Sequence, residues 1–148
     1  SLALRRSGSM VIPDSADLMH WKIGDHGFAM GLSPLVPETV GAALLPWLRD
    51  WLNDQAMDFE AVKSWAVHPG GPKILSTCCE VLSLESSQLL DSRGVLQDHG
   101  NMSSATILFI LERLRRRATS GPCLALAFGP GLSAEVALFD LDNGESSF

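Results

Sequence analysis

Several features that would settle the class of a protein at once are missing from this chain. No apolar run approaches the roughly twenty residues that crossing a bilayer requires, and the first residues do not follow the basic-then-apolar order of a signal peptide. Basic residues are the minority, 11 Lys and Arg against 17 Asp and Glu, for a net charge of −6. A nucleic-acid binder needs a basic face to neutralise phosphates, so that class is excluded. There are 3 cysteines, Cys78, Cys79 and Cys123. Their spacing fits no metal site, and adjacent Cys78 and Cys79 on a helix point to different sides. A reduced, cytoplasmic protein without a metal or cofactor is expected. No internal repeat, low-complexity segment or interdomain linker is visible. What remains is 148 residues with a hydrophobic fraction of 46% and a mean hydropathy of +0.16. That is enough for one domain with a real core. It is also greasy for a domain of this size, as expected where a second domain or subunit covers one face.

The pattern predicts a single α/β domain over residues 1–141 with a loose tail at 142–148. Residues 3–12 are β-like and lead into the turn Pro13-Asp14-Ser15. Residues 19–23 and 27–32 form a hairpin around Gly24-Asp25-His26-Gly27. Pro37 suits a first helical turn, and Glu38 to about Asn53 is amphipathic through Leu44, Leu45, Leu48 and Leu52. Pro46 should kink that helix. A short buried strand at 64–68 precedes helices at about 72–84, 87–98 and 102–118. The last carries the stripe Ala105, Leu108, Leu111 and Leu114, with Arg113, Arg115, Arg116 and Arg117 at its negative dipole end. Strands at 122–128 and 132–140 close the domain.

Two loops carry the chemistry. Trp65-Ala66-Val67-His68-Pro69-Gly70-Gly71-Pro72 reads as a strand ending in an imidazole, then a turn whose glycines let backbone pass close to a ligand. Gly100-Asn101-Met102-Ser103-Ser104 places an amide at the mouth of the following helix. A histidine at a strand end can simply be a satisfied core residue, and an asparagine before a helix is usually its N-cap, worth about 1 kcal/mol. Against those readings, ligands of open α/β sheets bind outside the carboxyl ends of the strands, where His68 would sit. The two serines also offer alternative caps. A neutral imidazole and a carboxamide are both donors that can hold a developing oxyanion.

Together with Phe128-Gly129-Pro130-Gly131-Leu132, these motifs resemble the C-terminal half of a type III polyketide synthase of the chalcone synthase-like branch of the thiolase superfamily, bacterial in flavour. The resemblance implies a thiolase-like half with a mixed five-stranded sheet and helices packed on it. It implies that His68 and Asn101 hold the malonyl thioester during decarboxylation and the tetrahedral oxyanion during condensation. Ala127 stands where the family's GFGPG loop has its first glycine, and Pro130 keeps its place in the cavity wall. Ile12-Pro13-Asp14-Ser15 is similar to the family's LPDS stretch, and Gly24-Asp25-His26-Gly27-Phe28 to bacterial members. Registering Val36-Pro37 on the family's VP puts Met30 at a gatekeeper position between the CoA tunnel and the reaction cavity. The same register puts Trp21 on the elongation-cavity wall, where plant chalcone synthase has glycine. Both could equally be plain strand packing. Ser103 would face the site, Gly70 and Gly71 would pass close to substrate, and Lys73 would lie by the pantetheine tunnel or simply be solvated.

The family's acyl-carrying cysteine sits at the N-terminus of a buried helix, which lowers the thiol pKa. No cysteine here fits: Cys78 and Cys79 fall mid-helix and Cys123 in a strand. The expected nucleophile therefore belongs to an N-terminal half outside this chain, and the 148 residues alone are expected to be inactive. The implied whole is a homodimeric acyltransferase using acyl-CoA and malonyl-CoA. Two other readings remain at this stage. An initiating ketoacyl-acyl-carrier-protein synthase shares the Cys-His-Asn chemistry, although its histidine motif usually continues Gln-Ala-Asn. A non-catalytic thiolase-like assembly module would explain the absent nucleophile.

Overall fold

The computed structural model describes residues 1–117 and 119–142. The expected tail at 142–148 lies outside the described residues except for Asp142. Ten regular elements follow in order. These are β1 (Leu2–Val11), β2 (Met19–Gly24), β3 (Gly27–Leu32), α1 (Val36–Asp54), β4 (Ser64–Val67), α2 (Pro72–Val81), α3 (Leu90–His99), α4 (Ala105–Arg116), β5 (Gly121–Gly129) and β6 (Ser133–Leu141). The α/β class and the mixed sheet are as the sequence predicts.

The main sheet has four strands in the order β1-β6-β5-β4, not five. β4 runs parallel to β5, and the other neighbours are antiparallel. The hairpin β2–β3 pairs only with itself. Pro13 and a 3-10 turn at Ala16–Leu18 take the chain out of the sheet before the hairpin begins. Alternating hydrophobicity marks a half-buried strand but says nothing about which sheet it joins.

Side-chain alternation builds two cores. On β4 and β5, Trp65, Val67, Leu124 and Leu126 point into one core, together with Leu44, Leu48 and Leu52 of α1 and Leu75 of α2. Ala66, Cys123 and Ala125 face the other, against Val95 of α3 and Ile110, Leu111 and Leu114 of α4. β4 is therefore buried on both sides, which explains its continuous apolar run. It is an edge strand of the sheet, yet the free N–H of Val67 donates to the Ser92 hydroxyl of α3 at 3.1 Å.

α1 runs from Val36 to Asp54 with the exposed Pro46 inside it. One helical detail departs from the sequence reading. On α4, Leu108 faces solvent and Ala105 is exposed; the buried stripe is Thr106, Ile110, Leu111 and Leu114.

Candidate functional site

β4 and β5 end side by side, and the loops beyond them make one end of a cavity of about 700 Å³. His68 is the first residue past β4. Its backbone N–H continues the parallel ladder to the Leu126 carbonyl at 2.8 Å, which fixes the position from which the imidazole leaves the sheet. The ring is half-buried, and burial pushes its pKa below the usual histidine value. The neutral imidazole is thus the form present at neutral pH: one ring N–H to donate and no full charge.

Asn101 reaches the same cavity from the loop between α3 and α4. Its Oδ1 accepts the backbone N–H of Ser103 at 2.9 Å. The expectation that the serines would do the local turn work is corrected here. Ser104 occupies the N-cap of α4 without a side-chain cap, and Thr106 Oγ1 instead accepts the Met102 N–H at 2.8 Å. This bond ties Oδ1 to the turn, and Nδ2 is the donor that the carboxamide can offer to a ligand. Ser103 takes a φ of 59°, and its side chain also lines the cavity.

The remaining sequence candidates come to the same place. Trp21 and Met30 of the hairpin, Gly70 and Gly71 of the turn, Lys73 at the start of α2 and Pro130 between β5 and β6 all line the cavity with His68, Asn101 and Ser103. Lys73 is exposed. Ala127, standing for glycine, does not disturb the strand: the β5–β6 pairing continues through Ala127↔Glu135 to Gly129↔Ser133. The sequence reading missed Met19 and Leu32 on the hairpin, Ile107 on α4 and Glu135 on β6. Met19 and Leu32 could have been found, because each is two residues along from Trp21 or Met30 and shares its face. Glu135 carried no such signal; it accepts a hydrogen bond from the Ser9 hydroxyl at 2.7 Å.

Gly131 ties the cavity walls together. Its N–H donates to the Met19 carbonyl at 2.8 Å, from the left-handed φ of 83°. The loop after β5 thereby holds the base of the hairpin. None of the cysteines is at the cavity. Burial pushes the Cys78 thiol up to about 12, with neighbouring Cys79 adding to it, and burial alone takes Cys123 to about 12. Neither is a ready thiolate. Among the described residues no group of three or more His, Cys, Asp or Glu could hold a metal ion, and no helix is long and apolar enough to cross a membrane.

Residues 3–141 match the family model for chalcone and stilbene synthases, C-terminal domain. A putative chalcone synthase of Bacillus subtilis is 33% identical over 141 residues, covering 92% of this chain and 38% of that protein. The 1,3,6,8-tetrahydroxynaphthalene synthase of Streptomyces griseus is 34% identical over 140 residues, covering 93% of this chain and 37% of that protein. A solved structure, PKS-I from the brown alga Ectocarpus siliculosus, superposes with a TM-score of 0.86 at 26% identity, over 95% of this chain and 40% of that one. The chain thus spans less than two-fifths of the length of these curated relatives. A thiolase-like α/β half with a histidine and an asparagine facing one cavity, matched over almost its whole length, belongs to the C-terminal domain of the chalcone and stilbene synthase family, the type III polyketide synthases.

Proposed function

We propose that this chain is the half of a type III polyketide synthase that stabilises oxyanions during decarboxylative Claisen condensation. The acyl-CoA starter is carried on a cysteine from a segment outside these residues. Malonyl-CoA loses carbon dioxide, and the released electron pair moves onto the thioester oxygen as an enolate. His68 and Asn101 Nδ2 donate to that oxygen. The enolate carbon then attacks the cysteine-bound acyl group, and the same two donors hold the tetrahedral oxyanion until the cysteine thiolate leaves. Donors of this kind are each worth about 3–4 kcal/mol in transition-state stabilisation.

The observation that carries this reading is that His68 and Asn101, 33 residues apart in sequence, line one cavity. Burial lowers the pKa of the imidazole and favours its neutral form, and the amide oxygen accepts the Ser103 N–H. Lys73, Trp21 and Met30 line the cavity; in this reading Lys73 meets the CoA arm, and the two hairpin residues limit the volume available to the growing chain. The three thiols of this chain lie away from the cavity, which supports the reading that the acyl-carrying cysteine comes from elsewhere and that the 148 residues alone are inactive in condensation.

The test separates two half-reactions in the complete enzyme. Asn101→Ala should abolish malonyl-CoA decarboxylation, by about 100- to 1,000-fold for a lost oxyanion donor, while acylation of the cysteine by a starter continues. Equal loss of both steps would contradict the role assigned to the amide.

A further inference from the structure

β4 ends at Val67, and on one side it has no strand neighbour. The backbone leading into His68 is therefore held from two directions by different partners. The His68 N–H points to β5 and donates to Leu126, while the Val67 N–H points the other way and donates to Ser92 Oγ of α3. Val67 and Ser92 are both fully buried. A buried N–H without an acceptor is costly, so the hydroxyl answers a need of the strand. The helix itself would be better served by alanine. From Ser92 the same helix runs on to Asn101, nine residues later. The Gly100 N–H donates to the Leu96 carbonyl at 2.9 Å, so helical hydrogen bonding reaches the residue just before the amide. Val95, about one turn on from Ser92, is buried in the core that holds Ala66 of β4. Asp91 turns the other way and pairs with Arg117, just past α4, at 3.1 Å.

We infer that Ser92 is a positioning residue for the oxyanion site, its hydroxyl fixing the strand end that carries His68 to the helix that delivers Asn101. The inference rests on the reading of those two side chains as donors to one thioester oxygen. Donors on separate loops act together only where the spacing of their backbones is held, to within about 0.5 Å for a working site. Among the described residues the Ser92–Val67 bond is the hydrogen bond that joins α3 to β4, and it is made one residue before the imidazole. Ser92 does not line the cavity, so its effect on the reaction passes through the two donors.

Steady-state decarboxylation of malonyl-CoA and single-turnover acylation of the cysteine, both in the complete enzyme, test it. Ser92→Ala should lower kcat for decarboxylation about 10- to 100-fold, the cost of a small misplacement of catalytic groups. KM for malonyl-CoA and the acylation rate should stay close to their original values. Ser92→Cys keeps the site filled but offers only a weak acceptor, so it should fold even where Ser92→Ala does not, and show the same loss of kcat. Ser92→Thr returns the hydroxyl and should recover most of it. Ile110→Val thins the core around Ala66 and Val95 without touching the Ser92 bond, and should leave kcat unchanged. An unchanged kcat in Ser92→Ala or Ser92→Cys overturns the positioning role. So does acylation lost in step with decarboxylation, a Ser92→Thr enzyme as slow as Ser92→Ala, or an equal loss in Ile110→Val. The donor reading survives any of these results as long as Asn101→Ala still separates the two half-reactions; where it does not, both fall together.

Discussion

His68 owes its properties to the point at which β4 stops. Its backbone still belongs to the ladder, so the imidazole is held at a strand end in a partly desolvated position and loses basicity. The sign of the resulting pH dependence follows. The unfolded chain titrates this histidine near 6.5 and the folded chain at a lower pH, so below 6.5 the unfolded state binds protons first. Stability contributed by the neutral ring is full above pH 6.5 and declines as pH falls towards the lowered folded value. Denaturant melts at pH 7.5 and 5.5 should show this loss, and His68→Gln should remove that component of it. Asn101 was legible in the sequence because glycine and serine around an amide mark a helix-entry loop. The job of its oxygen was not legible. Propensity ranks serine and asparagine almost equally as local acceptors, and only the Ser103 φ of 59° shows which one closes the turn.

The elements were readable where one residue type dictates the backbone, and blurred where packing decides. The His68 and Gly129-Pro130-Gly131 loops were placed correctly because glycine and proline fix them. The α4 stripe was right only in its second half, Leu111 and Leu114. Positions spaced strictly by three drift by about 60° per step around a helix that turns 100° per residue, so a run from Ala105 through Leu108 leaves the buried side. Thr106, Ile110 and Leu114, spaced by four, stay on it. The end of α2 was set three residues too late because no glycine marks it. Leu84 and Ser83 donate to the carbonyls of Cys79 and Glu80, closing a Schellman turn with Ser83 at a φ of 53°. Ser83→Gly should relieve that conformation and raise stability by about 1 kcal/mol in chemical denaturation. At the base of the hairpin the opposite change is costly. Gly131→Ala forces a side chain into the left-handed region, at roughly 1–2 kcal/mol, and weakens the bond to Met19. Hydrogen exchange should then quicken in β2 and β3 before it changes in β4 and β5.

For the whole molecule, the polar-to-apolar balance points to partners. Large apolar side chains exposed on β1, the hairpin and α4 include Leu4, Val11, Ile23, Phe28 and Leu108. In a chain of high overall hydropathy they make an incomplete surface. Composition already carried that expectation, but it could not say where the exposed groups would lie, because location depends on which faces the two cores consume. The 148-residue chain should therefore self-associate. Sedimentation velocity should show species larger than the monomer as concentration rises, and a clean monomer at high concentration would count against a face built to be covered.

The central claim is that the imidazole of His68 and the amide of Asn101 donate together to one thioester oxygen. The most direct measurement is the infrared carbonyl stretch of a thioester labelled with carbon-13 at that carbonyl, bound to the complete enzyme. The account predicts a band shifted to lower frequency than in water, moving back part of the way in Asn101→Ala and further when His68 is also replaced. A bound carbonyl whose frequency is indifferent to both substitutions would contradict it.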